Sequence, residues 1–109
     1  MSRSFCTFSL IQVRKEALPT LRTLARIGIA SNFHRSCLAR VRDVLSNACN
    51  TFDEDEATGY FEEEYLACFD ALACVNEALI RHARGRAFLS YMREAVNSLE
   101  RIEESTAVA

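Results

Sequence analysis

The 109-residue chain has no tryptophan, one proline and three glycines. So few breakers exclude collagen-like and low-complexity architectures and leave long stretches free to be helical. Lysine is nearly absent: twelve of the thirteen basic residues are arginine, so cationic contacts would be forked guanidinium contacts suited to phosphate or carboxylate. No apolar run approaches the roughly 20 residues that span a bilayer. The opening "MSRSFCTFSLIQVRKE" also lacks a sustained apolar region followed by a small-residue cleavage site. The expectation is a soluble intracellular protein, cytoplasmic or nuclear, with no membrane partner. The five cysteines, Cys6, Cys37, Cys49, Cys68 and Cys74, are odd in number and contain no C-x-x-C pair. Such a set reads as reduced core thiols rather than a disulfide framework.

What remains is a globular composition, 50% hydrophobic and 26% charged, in a chain long enough for one core and too short for two. A single domain over 1–109 is expected, with 1–4 and 104–109 frayed. Helical spacing is clear along most of it. Phe33, Cys37, Val41, Val44, Leu45, Ala48 and Phe52 recur at three- and four-residue steps, with Ser31 or Asn32 to cap the start. Phe61, Tyr65, Cys68, Leu72, Val75 and Leu79 form a second stripe, with Glu77 placed to pair with Arg81. Gly85 occupies the position of a left-handed C-terminal residue, and Phe88, Met92, Ala95, Leu99 and Ile102 give a last helix beyond it. Leu18, Leu21, Leu24, Ala25 and Ile29 make a further helical face, with Pro19 in a first turn or at a kink. Before it, "SFCTFSLIQV" is aromatic and β-branched enough to be a strand; helix is preferred because a lone strand would need a partner chain. The fold class expected is all-α, a compact antiparallel bundle of four to five helices.

Charge is unevenly spread. Residues 1–50 carry eight bases against two acids, residues 51–80 nine acids and no base, and residues 81–109 five bases against four acids. In the basic part, Lys15, Arg22 and Arg26 are seven and four residues apart, and Arg35 and Arg42 seven, so two neighbouring helices would present basic ridges. Ridges of this kind follow phosphates and bind nucleic acid with little base preference. Arg81, Arg84 and Arg86 with His82 form a third group around Gly85, where cations also meet exposed helix carbonyls.

The acidic part contains "TFDEDEATGYFEEEYLACF", Thr51 to Phe69, which resembles an EF-hand loop with one residue inserted. A calcium loop needs oxygen ligands at positions 1, 3, 5 and 12 and glycine at 6. Starting at Asp53 puts Glu64 at position 12 but Thr58 at position 6; starting at Glu54 puts Gly59 at 6 but Tyr65 at 12. The plainer assignment divides the stretch. Asp53 to Glu56 form an exposed acidic turn, and Thr58 caps a helix whose positive end meets Glu62, Glu63 and Glu64. His34 and Cys37 lie one turn apart, but no second pair at zinc spacing accompanies them, and neither histidine adjoins a nucleophile motif.

The expected function is therefore a small non-enzymatic helical binding protein, without cofactor or metal, that self-associates as a homodimer. Its nucleic-acid contacts would come from Lys15, Arg22, Arg26, Arg35 and Arg42. Size and charge layout suit a regulatory protein of a virus or phage. The alternative is a protein–protein adaptor that uses the acidic turn and an apolar helix face. A degenerate EF-hand-like calcium protein is the more distant alternative.

Overall fold

Apolar residues at three- and four-residue steps and scarce breakers give four helical rods, each long enough to bury one stripe against its neighbours. The computed structural model describes the backbone of residues 2–54 and 62–108 and the side chains of 6–53 and 62–102. The first rod consists of α1 (Ser2–Gln12), a π-helical turn (Val13–Ala17) and α2 (Leu18–Ile27); α3 (Asn32–Glu54), α4 (Glu62–Ala83) and α5 (Leu89–Val108) follow. The fold is all-α, and the aromatic N-terminal segment is helix, as preferred from the sequence.

The π turn has a local cause. Pro19 has no N–H, and its ring would press on the carbonyl four residues back in a regular helix. The widened turn just before it relieves that clash; the Leu18 N–H donates to the Val13 carbonyl, five residues earlier. The rod therefore continues through Pro19 instead of breaking.

The first rod packs on α3 and α5, α3 on α4, and α4 on α5, so consecutive rods are neighbours around a square. Turns at residues 28–31 and 84–88 lie at one end of this square, where Arg35 near the start of α3 reaches the last turns of α4. Gly28 and Gly85 supply the positive φ values these turns require, 80° and 67°. At Gly85 the helix closes with two nested bonds, the Gly85 N–H donating to the His82 carbonyl and the Arg86 N–H to the Arg81 carbonyl. Ser31 is the cap of α3: its Oγ accepts from the His34 N–H at 3.2 Å.

Buried along the axis are Leu18 and Leu21 from the first rod, Leu38, Leu45 and Phe52 from α3, Val75 from α4, and Met92, Leu99 and Ile102 from α5. The radius of gyration, 13.6 Å, is that of a single compact unit of this length. Two assignments in the α3 stripe need correction. Phe33 is 70% exposed because it sits in the first turn, while Leu38, outside the expected stripe, is fully buried. Asp53 belongs to the last turn of α3 and not to a turn between helices. The remainder of the expected acidic turn, the Thr58 cap and the calcium-loop positions from 55 to 61 lie outside the described residues. Among the described residues no helix is long and apolar enough to cross a membrane.

Candidate functional site

The five basic residues singled out from the sequence do not form one surface. Arg22 donates through Nη2 to Glu100 Oε2 at 3.0 Å, which turns it towards α5. Arg26, one turn on, is exposed. Lys15 lies in a groove of about 280 Å³ between the first rod and α3, beside Glu16, Thr20 and Arg40. The reason for this split is the π turn: a seven-residue spacing keeps one face only while the helix holds about 100° per residue, and an inserted residue breaks that phase. Lys15 therefore faces α3 while Arg22 faces α5.

Arg35 and Arg42 remain together on α3, on the side that meets α4. Arg35 Nη1 donates to the Leu79 carbonyl at 3.2 Å and sits 2.9 Å from His82 Nδ1. A guanidinium can only donate, so Nδ1 is the acceptor and the ring proton is on Nε2. Both arginines line a groove of about 460 Å³ between α3 and α4, whose other side carries Asn76, Leu79, Ile80 and, from the turn, Arg84. The turn arginine thus meets the α3 ridge in one field, which spacing alone could not establish. Arg42 also contacts Asp43 Oδ1 at 3.3 Å, but among the described residues no carboxylate lines the groove. Arg81 leaves this field: Nε donates to Glu77 at 2.9 Å, the expected one-turn pair, and its guanidinium carbon lies 4.6 Å from the Tyr91 ring centre on α5.

Beside the groove runs a feature that the sequence reading missed. Leu66, Phe69 and Ile80 on α4 are about half exposed, at 51%, 52% and 46%. With Ala73 and Asn76, also exposed, they follow steps of three and four residues along the side of α4 opposite its buried Cys68, Ala71, Val75 and Ala78. The signal was available as a second apolar series out of phase with the core series on the same helix.

At the other end of the α3/α4 face the character is aromatic and acidic. Phe52 and Tyr65 meet edge to face with ring centres 6.0 Å apart, and Phe69 stands 6.2 Å from Tyr65. Hydrogen bonding to Asp53 first, then burial and the Asp53 charge, raises the Tyr65 phenol above its ordinary range. Glu62 and Glu63, exposed, occupy the first turn of α4. The face therefore runs from acidic to basic along its length.

Three of the thiols are held in their protonated form by burial. Burial raises Cys49 to about 11, with Asp53 adding to the shift, and burial likewise raises Cys68 and Cys74. These sulfurs stay protonated and are poor nucleophiles at neutral pH. His34 Nδ1 accepts from the Ala30 N–H at 3.1 Å, so the residue considered beside Cys37 for zinc serves the α2/α3 turn. Among the described residues no group of three or more His, Cys, Asp or Glu could hold a metal ion.

The class that fold and site define is an all-α, four-rod bundle with one polarised face. In comparison with known proteins no family matches the chain, and no curated protein and no solved structure is similar to it.

Proposed function

We propose that the protein is a small non-catalytic interaction module that binds a macromolecular partner through its α3/α4 face. The observation that carries this reading is the exposed row Leu66, Phe69 and Ile80 along the outer side of α4, of which Ile80 lines the arginine groove. Scattered apolar residues are ordinary on protein surfaces, but a row of them along one side of a helix, with arginines at one end and glutamates at the other, has the make-up of a binding face. Raised thiols in the core agree with a role that does not use them in chemistry.

A photo-crosslinking residue placed at position 69 or 80 in the full chain, in its native cell, tests this. Discrete adducts are expected from both positions and not from Thr23, exposed on the first rod. Adducts from position 23 alone, or from all three positions equally, would refute the reading.

A second reading has its own support, the three guanidiniums of Arg35, Arg42 and Arg84 around a groove that no carboxylate lines among the described residues. Such a groove suits a nucleic-acid backbone, and binding there should fall steeply with salt and be lost on replacing Arg42 and Arg84 together by glutamine. Failure of duplex and single-stranded RNA and DNA to bind the intact protein at low salt would remove this reading and leave the first in place.

A further inference from the structure

An ordinary bundle helix is apolar on the side facing the core and polar on the other. Helix α4 departs from this pattern. Its core side is made by Cys68, Ala71, Val75 and Ala78, and its solvent side carries Leu66, Phe69, Ala73, Asn76 and Ile80, all exposed, with Asp70, paired to Arg101 of α5, at the edge of the row. The outer positions alternate in steps of three and four, the spacing of a seam that packs against another helix. Asn76 is the one amide in this seam, a residue type that fixes register in such pairings.

Charge identifies the other helix. Glu62 and Glu63 are exposed at the start of α4, while Arg84 stands just past its end, with Arg35 and Arg42 across the groove. A parallel copy of α4 would set acid against acid and base against base. An antiparallel copy sets each acidic end against a basic end, at both ends at once. The residue numbers agree with such a twofold arrangement: Leu66 and Ile80 lie seven residues either side of Ala73, and Glu62 and Arg84 eleven. A small side chain at the midpoint lets two helices approach to the usual 8–10 Å.

Resting on the reading of the α3/α4 face as a partner-binding surface, we infer that the partner is a second copy of this chain, docked antiparallel along α4 about a twofold axis at Ala73. Leu66 then packs on the partner's Ile80, Glu62 pairs with the partner's Arg84, and each contact occurs twice, as a closed isologous interface requires. A twofold axis perpendicular to α4 keeps the two copies of α3 on the same side. It therefore also brings Asp53, in the last turn of α3, towards the end of the partner that carries Arg35. The paired stretch from Glu62 to Arg84 is about 33 Å long.

The test uses the full chain. Leu66→Cys and Ile80→Cys are made separately, with the native cysteines retained as a common background. Under copper-catalysed air oxidation, a mixture of the two variants is expected to give a covalent dimer that neither gives alone, and Ala73→Cys to give one by itself. Equal dimer from Leu66→Cys alone would show parallel or unspecific pairing, and no dimer from the mixture would show that the seams do not meet; either overturns the inference. Glu62→Arg and Arg84→Glu are each expected to weaken self-association about tenfold, with recovery when both are in one chain. A double variant as weak as the singles would also overturn it. If position 80 gives discrete photo-adducts of a mass other than twice that of the chain, the α3/α4 face stands as a binding surface and the second copy does not.

Discussion

Two faces on opposite sides of the bundle carry arginine in different ways. Between the first rod and α5, Arg22 is closed by Glu100 from the neighbouring helix. On the α3/α4 face, Arg42 and Arg84 line an open groove, and exposed Leu66, Phe69 and Ile80 run beside it. The first face closes Arg22 against a carboxylate of a neighbouring helix; on the second, Arg42 meets its sequence neighbour Asp43, while Glu62 and Arg84 stand about 33 Å apart along the helix, too far for direct pairing. The number of arginines on a face thus says less about binding than whether their counter-charges lie within reach.

The comparison breaks most severely from below. Phe52 is fully buried under the acidic end of the α3/α4 face and meets Tyr65 edge to face. Phe52→Ala should cost about 3–5 kcal/mol, seen as a lowered denaturation midpoint, and take the binding face with it. A smaller effect is expected at the basic end. Gly85 holds φ at 67° with nothing near its missing Cβ, so Gly85→Ala costs backbone strain alone, about 1–2 kcal/mol in chemical denaturation.

Alkaline pH sharpens the contrast from within. Cys49 is raised from 9.0 to about 11, and Cys68 is raised as well. For groups raised on folding, the unfolded chain loses its protons first. Stability should be flat below the unfolded thiol pKa and fall as pH climbs from 9.0 towards about 11, which denaturation at stepped pH would register. A serine at position 49 should flatten part of that fall.

The least disturbing change is on the opposite face. Arg22 and Glu100 keep 40% and 46% of their side chains in water, so Glu100→Gln should alter stability by no more than about 0.5 kcal/mol and leave self-association unchanged.

The helices were readable where stripe and terminator agreed. Val75, Leu79, the Glu77–Arg81 pair and the Gly85 closure follow from spacing and from backbone preference, both local properties. The α3 stripe was less exact: Phe33 lies in the right phase, but in a first turn that neighbouring helices do not cover, while Leu38 fills the core instead. The basic residues were legible only as spacings along each helix. A seven-residue spacing says that two side chains share a face, not which neighbour that face meets. The π turn ahead of Pro19 also shifts phase between Lys15 and Arg22. The outer seam of α4 was hidden because two apolar series on one helix read simply as an apolar helix until the core series is known.

Sedimentation equilibrium of the full chain over a concentration series, beside Ile80→Lys and Glu100→Gln, tests the central claim most directly. Ile80 is 46% exposed, so lysine there should leave the helical signal and the monomer's stability within about 0.5 kcal/mol of the parent. The expected result is a mass rising to twice that of the chain for the parent and for Glu100→Gln, with Ile80→Lys remaining at the mass of one chain. A parent that stays monomeric throughout, or an Ile80→Lys variant that associates as the parent does, would contradict the account.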